Sequence, residues 1–505
     1  MNQLKAGIIL NYVIIFINIA VGLLYTPYML RTMGQSEYGL YSLVASVISY
    51  LTVLDLGFGN AIVRYTAKFR AEGKQAEQYE MFGMFLVLYT VIGIIAFIAG
   101  LGLYFNVDNI FGDTMTDYEL GRARIMMMLL IFNLAITFPL STFGSIVQAY
   151  EQFVFNRSLK IARTILNTIV MIALLSMGYK AVAMVVVQTF FNITTLLIDY
   201  VYCKYKLQIK IYFRNFRWGF LKEVATYSFW IFLNIIMDRI YWSTGQFVLG
   251  AYVGTAAVAI FAIAIQLEQM YMTFSTAVSS VFLPKVTGMV AQNGSNEAIS
   301  DLFIRTGRIQ FIAIGTILSG FIIFGHQFIR LWAGEGYEEA YTIALLFFIA
   351  LFTPLIQNLG ITILQARNQM KFRSILYIVI AIVSLIFQVV LTRLYGGLGC
   401  AIAIAGALFV GQGIILNIYY YIKQKIDIIS FWKEILKMSI VPIVLTTASI
   451  FTISNYDINS WGELALAILI FCIVYIPLFW VFSMNDYERV LIKEPIKKLI
   501  SKFIS

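Results

Sequence analysis

Histidine and cysteine are nearly missing from this sequence. One histidine in 505 residues, His326, removes most imidazole acid–base catalysis and histidine-ligated metal chemistry. The three cysteines, Cys203, Cys400 and Cys472, are odd in number, far apart and set in or beside apolar runs, which gives neither a disulfide framework nor a metal cluster. Charge is also scarce. Asp, Glu, Lys and Arg make up 12% of the chain, against about 25% in soluble globular proteins. No G-x-x-x-x-G-K-[ST] stretch occurs, so a P-loop ATPase cycle is excluded. No connection between apolar runs is long enough to be a folded domain. A soluble multidomain enzyme is therefore ruled out, and no metal or cofactor is expected.

Apolar residues fill the space left by these absences: they form 60% of the chain, and the mean hydropathy is +0.84. A membrane-crossing helix needs about 20 of them. Fourteen runs of that size are readable, beginning with 8–30 and 38–60 and including 160–178, 224–250, 256–282, 374–394, 398–422 and 461–482. The first is too long for a signal-peptide core and reads as a retained span. An even number of spans puts both termini on one side. With the N-terminus inside, 29 of the 36 lysines and arginines fall on inner segments and six on outer connections, with Arg239 inside a span. That asymmetry places both termini in the cytoplasm. The outer connections gather acids instead, as at Asp108, Asp113, Asp117 and Glu119. The formal net charge of +10 is thus a signature of membrane topology, and no nucleic-acid partner is implied. The expected fold is an all-α polytopic membrane protein with 14 transmembrane helices.

An internal repeat is also legible. Gln148-Ala149-Tyr150-Glu151-Gln152-Phe153-Val154-Phe155 and Gln365-Ala366-Arg367-Asn368-Gln369-Met370-Lys371-Phe372 share the pattern Q-A-x-x-Q-x-x-F, 217 residues apart. Gly34-x-x-x-Tyr38-Gly39-Leu40-Tyr41 matches Gly254-x-x-x-Val258-Ala259-Ile260-Phe261 at an offset of 220, as Ala181-Val182-Ala183 matches Ala401-Ile402-Ala403. Six spans per repeat give both halves the same orientation in the membrane, a parallel repeat of the kind found in alternating-access transporters. The expected divisions are an N-terminal six-helix lobe at 1–204, a cytoplasmic linker at 205–222 and a pseudo-symmetric six-helix lobe at 223–422. Two appended spans at 423–482 and a basic cytoplasmic tail at 483–505 complete the chain. In that tail Ile492, Ile496, Leu499, Ile500 and Phe503 interleave with lysines, as in an amphipathic helix on an anionic surface.

With the loop stretch from Tyr25-Thr26-Pro27-Tyr28 to Tyr41, the Leu54-Asp55-Leu56-Gly57-Phe58-Gly59 end of span two and both Q-A-x-x-Q segments, the chain resembles a superfamily of multidrug, oligosaccharidyl-lipid and polysaccharide exporters. Within it the resemblance is to the polysaccharide-transporter branch, the bacterial O-antigen and capsule-repeat flippases. It implies movement of an oligosaccharide repeat unit linked to undecaprenyl diphosphate from the cytoplasmic to the outer leaflet of the bacterial plasma membrane. It also implies a polysaccharide polymerase and chain-length machinery as partners. Related lipid II flippases have an arginine-rich first span; here no charge occurs in that span before Arg31, which favours a glycan-repeat cargo.

Polar side chains at bilayer depth are costly, about 2.5–3.5 kcal/mol for a central charge on insertion scales, and they normally face an interior cavity. Asn11, Asn18 and Tyr25 share one face of span one, and Tyr41, Thr52 and Asp55 share one of span two. Asn234, Asp238 and Trp242 align in span seven with Arg239 one residue off, and Gln266 and Gln269 lie in span eight. These spans correspond under the repeat, so the stripes predict a central substrate cavity. Amides pair with sugar hydroxyls and aromatic faces cover the apolar face of a sugar ring. The diphosphate needs cations, for which Arg239, Arg31 and Arg64 stand in that order. Structural roles remain open beside these. Asn and Gln also act as interhelical glue, Asp238 and Arg239 as structural ion pairs, and Arg31 and Arg64 as snorkelling residues at the interface. Asp55 either holds a coupling cation or caps a helix broken at Gly57 and Gly59. Two further functions compete with the flippase. One is a cation-coupled multidrug exporter of the same superfamily. The other is a membrane glycosyltransferase or polymerase, disfavoured because the outer loops are short.

Overall fold

Helices carry almost all of the chain, and no strand occurs among the described residues. The structure, a computed structural model, describes residues 3–491 apart from 215, 217, 292–294, 368, 454 and 455, together with 493 and 494. In chain order the helices begin with α1 (Gln3–Met33), α2 (Gln35–Leu51), α3 (Phe58–Ala71), α4 (Gln75–Phe105), α5 (Val107–Phe111) and α6 (Asp117–Ala149). They continue with α7 (Phe153–Ser176), α8 (Ala181–Val201), α9 (Trp218–Trp242), α10 (Thr244–Tyr252), α11 (Thr255–Ala291) and α12 (Asn296–Ala333). The last six are α13 (Glu339–Ile356), α14 (Leu359–Ala366), α15 (Met370–Leu408), α16 (Leu416–Ile422), α17 (Ile428–Ile453) and α18 (Trp461–Phe482).

Twelve helical segments among the described residues are long and apolar enough to cross a membrane, against the fourteen spans expected. The difference has two sources. Expected spans 374–394 and 398–422 lie on one helical stretch, Met370–Ile422, of 53 residues. A straight helix of that length would be about 80 Å long, well over the roughly 30 Å hydrocarbon core. Gly396, with φ 57° and ψ −135°, breaks the helical geometry between the two expected spans. The other source is 224–250, which is divided at Ser243 between α9 and α10, and α9 carries Lys222, Glu223, Asp238 and Arg239. Span two also runs further than expected. A 3-10 turn at Thr52–Asp55 and left-handed residues at Leu56 and Gly57 interrupt it, and α3 then continues to Ala71.

The contacts divide the chain into two units, Met1–Ala262 with Leu385–Cys400, and Ile263–Ser384 with Ala401–Ser505. In the first, α4 packs along α6, with Phe82 and Phe85 fully buried and Tyr89 stacked on Phe138 at 6.3 Å. The N-terminus of α6 is closed by a capping box: Thr116 Oγ1 accepts from the Glu119 N–H, and a Glu119 carboxylate oxygen accepts from the Thr116 N–H at 2.9 Å. In the second unit α12 packs on α13 and α17, and Tyr271 stacks on Phe348 at 4.2 Å. Outward-facing aliphatic side chains such as Ile94 and Ile98 on α4, and Leu466, Ile470, Ile473 and Ile476 on α18, are left exposed. Such surfaces suit a helix whose surroundings are lipid and whose backbone groups are satisfied internally.

Both Q-A-x-x-Q-x-x-F segments do the same local work. The first joins the end of α6 at Ala149 to the start of α7 at Phe153, and the second joins the end of α14 at Ala366 to the start of α15 at Met370. Of the expected amphipathic tail, Ile492, Ile496, Leu499, Ile500 and Phe503 lie outside the described residues.

Candidate functional site

Two tight hairpins build a cleft in the first unit. Gly34 is the single residue between α1 and α2. Its φ of 82° lies in the left-handed region that a residue without Cβ adopts freely, so the chain reverses without a loop. This sets Asn18 and Tyr25 of α1 beside Tyr41 of α2. The α7–α8 hairpin brings Arg163 and Asn167 opposite Gln188. The four helices form a cleft of about 390 Å³ lined by these six side chains together with Tyr38 and a few methionines and threonines.

Its polar groups are incompletely used by the protein. The Tyr41 hydroxyl donates to Gln188 Oε1 at 3.0 Å, and Thr168 Oγ1 is turned back onto the Thr164 carbonyl at 2.8 Å. The Tyr25 hydroxyl and Asn167 Oδ1 are buried with no hydrogen-bond partner among the described residues. Arg163 is half-buried and makes no hydrogen bond or ion pair among them. Buried polar groups in native proteins are nearly always paired, so unpaired ones lining an opening point to a ligand that completes them. A hydroxyl, amides and a guanidinium bind and orient; among the described residues no group of His, Cys, Asp and Glu is placed to hold a metal.

Of the residues expected from the sequence, Asn18 and Tyr25 meet in this cleft, and Tyr41 joins them. Asn11 is half-buried on α1 and does not line it. Arg31 is exposed in the last turn of α1, and Arg64 is exposed on α3 with its guanidinium 5.7 Å from the Tyr65 ring centre. Asp55 ends the 3-10 turn and accepts a hydrogen bond from the Tyr89 hydroxyl at 2.7 Å. Asp238 is exposed on α9, where Arg239 and Trp242 are half-buried. The side chain of Asn234 lies outside those described. Gln266, half-buried, and Gln269, exposed, sit on α11 in the second unit.

Arg163, Asn167 and Gln188 are cleft residues that the sequence reading did not single out. Arg163 counts among the cations of the inner segments although it falls within the expected span 160–178. The helix starts at Phe153, which places Arg163 ten residues inside it. The available signal was the polar recurrence Arg163-Thr164 and Asn167-Thr168, four residues apart on one helical face.

Comparison with known proteins adds the following. The profile of a family described as polysaccharide biosynthesis protein matches residues 4–289. An uncharacterized membrane protein of Bacillus subtilis (strain 168), EpsK, is 21% identical over 402 residues, covering 76% of each chain. Among solved structures, the lipid II flippase MurJ in an inward closed conformation superposes with a TM-score of 0.71 at 17% identity, over 96% of this chain and 99% of that one. An inward-facing multidrug resistance transporter of the MATE family superposes with a TM-score of 0.60 at 14% identity, over 82% of this chain and 99% of that one. The fold is thus the one these transporters share.

Proposed function

Because the chain belongs to the polysaccharide biosynthesis protein family, we propose that it is a flippase for a lipid-linked oligosaccharide. Its cargo is a repeat unit on undecaprenyl diphosphate, carried from the cytoplasmic to the outer leaflet of a bacterial plasma membrane for surface polysaccharide such as O-antigen or capsule. The observation that carries this reading is the cleft among α1, α2, α7 and α8. Its unpaired hydroxyl, amide and guanidinium lie within helices of membrane-spanning length and match the hydrogen-bonding groups of a polar cargo. A multidrug exporter for apolar cations needs no such set.

In the mechanism, the six-helix lobes 1–204 and 223–422 open a polar path alternately to each side while the lipid tail stays in the bilayer. Both termini face the cytoplasm, as the distribution of lysine and arginine supports. The stripes of Asn11, Asn18, Tyr25 and Asp55, and of Asn234, Asp238, Arg239, Trp242, Gln266 and Gln269, contribute to cargo contact along that path. Arg31 and Arg64 act near its ends. A membrane potential or ion gradient drives the cycle, and the product passes to a polymerase and chain-length machinery.

The test is deletion in the native host, followed by analysis of undecaprenyl-linked sugars and surface glycan. Accumulated lipid-linked repeat units with loss of surface glycan are expected. Unchanged glycans with new sensitivity to cationic dyes overturn the reading in favour of multidrug export, which the fold shared with a multidrug transporter supports.

A further inference from the structure

We propose that Arg163 is the residue that grips the diphosphate of the cargo, with Lys160 and Arg157 forming the approach to it along α7. The proposal rests on the lipid-linked cargo just described and assigns its charged part to one end of the cleft. Arg157, Lys160 and Arg163 are spaced three residues apart, so each is a surface neighbour of the next and lies about 4.5 Å further along the axis. Lys160 lies within electrostatic reach of both arginines and of Asp199 on α8. Arg163 makes no ion pair among the described residues, and the carboxylate that acts on Lys160 is Asp199. It is itself buried with Oδ1 unpartnered among the described residues.

The excess positive charge sits on a helix of membrane-spanning length. Lys160 and Arg157 lie toward the Phe153 end of α7, and Arg163 lines the cleft. A cation in such a place with no protein anion beside it is suited to a ligand that brings the anion. Arginine also fits phosphate specifically, because its planar fork donates two parallel hydrogen bonds to phosphate oxygens. Beyond Arg163 the cleft changes character. Asn167, Tyr25 and Gln188 offer an amide oxygen, a hydroxyl and a second amide, the groups that pair with sugar hydroxyls. One cleft therefore presents a phosphate end followed by a sugar end, in the order in which a lipid diphosphate sugar carries them.

The experiment uses the full chain in nanodiscs of zwitterionic lipid, with farnesyl diphosphate and inorganic diphosphate as separate probes and dissociation constants as the readout. Wild type is expected to bind farnesyl diphosphate, Arg163→Gln about tenfold or more weakly, and Arg163→Lys in between, since it keeps the charge and loses the fork. Lys160→Gln should flatten the salt dependence of binding with a smaller loss of affinity. Equal binding by wild type and Arg163→Gln, or no binding by wild type, overturns the proposal. Arg163-dependent binding of inorganic diphosphate alone overturns the assignment to a lipid-borne group. If Arg163→Gln is not monodisperse, Arg163→Lys carries the same test, and wild-type affinity in that variant overturns the proposal. The deletion phenotype separates the two readings. Accumulated lipid-linked glycan with Arg163-independent binding removes this site alone, and Arg163-dependent binding with unchanged glycans removes the flippase reading alone.

Discussion

The ring of Phe155 lies flat against that of Tyr202, with centroids 3.7 Å apart and planes inclined by 15°. The same pair recurs in the second unit as Phe372 on Tyr419, at 4.0 Å and 7°. Both partners are displaced by 217 residues, the offset of the Q-A-x-x-Q-x-x-F motif that contains the phenylalanines. The motif's second glutamine takes part each time. Gln152 Oε1 accepts from the Tyr202 hydroxyl at 3.0 Å. Gln369 Oε1 accepts from Gln424 Nε2 at 2.6 Å, and that amide also donates to the Tyr419 hydroxyl at 3.2 Å. The motif is thus a docking device that fixes where a helix begins against a tyrosine 47 residues further on.

Tyr202 should therefore divide cleanly by substitution. Tyr202→Phe keeps the stack and loses a hydrogen bond, at a cost of about 1 kcal/mol. Tyr202→Ala loses both, at about 1–3 kcal/mol for a half-buried aromatic pair. Thermal unfolding of the purified protein reads the order wild type, Phe, Ala. An alanine variant that melts with wild type removes the docking role.

Gly39 is the position where a single methyl group should do most damage. A Cβ built there stands 1.8 Å from the Thr255 carbonyl oxygen and 3.2 Å from the Ala259 nitrogen, both backbone atoms that no rotamer change can move. Under the repeat Gly39 corresponds to Ala259, so two copies of one loop motif touch here, and the Ser36 and Thr255 hydroxyls meet at 3.3 Å beside them. Gly39→Ala is expected to destabilise by about 3 kcal/mol or more, at or beyond the usual range for overpacking. Gly102→Ala on α4, where nothing lies within 4 Å, should gain about 0.5–1 kcal/mol from helix propensity. Opposite shifts in melting temperature are the expected result, and equal shifts contradict it.

The sequence made the membrane-spanning plan legible because hydropathy integrates over some twenty residues and tolerates errors at the ends. The repeat was legible because its motif residues make specific contacts, as the Phe155–Tyr202 and Phe372–Tyr419 pairs do. Breaks within a hydrophobic run were harder to see. Leu56 adopts a left-handed conformation that nothing about leucine announces, and Gly396 is one glycine in a run containing several. Arginine and lysine are good helix formers, so α7 starts at Phe153, seven residues before the apolar run at 160–178, and carries Arg157, Lys160 and Arg163 within one helix.

Arg308 ties the segment after α18 to the rest of the second unit. Buried on α12, its guanidinium donates to Glu488 at 2.6 Å, to Glu434 of α17 at 2.8 Å and to the Ser483 carbonyl at 3.1 Å. Removing one member of a buried ion pair costs about 3–5 kcal/mol, because the remaining charges stay buried without compensation. Arg308→Leu is therefore expected to destabilise by that amount. Adding Glu488→Leu should recover part of the loss, since the most buried of the abandoned carboxylates is then gone. A double variant no more stable than Arg308→Leu contradicts the coupling between the two residues.

Tyr25 offers a way to separate binding from folding. Its hydroxyl is buried in the cleft without a partner among the described residues, so the protein gains no hydrogen bond from it and bears the cost of removing it from water. A buried, unsatisfied polar group is worth about 1–3 kcal/mol against stability. Tyr25→Phe deletes only that oxygen, and the ring keeps its packing on α1. The variant should melt at or above the wild-type temperature while surface glycan falls and lipid-linked repeat units accumulate. A structural role for the hydroxyl gives the reverse, a lower melting temperature with transport lost only in proportion to the amount of folded protein. Normalising surface glycan to folded protein in the membrane distinguishes the two. Wild-type transport per folded molecule in Tyr25→Phe would mean that the cargo does not use this hydroxyl.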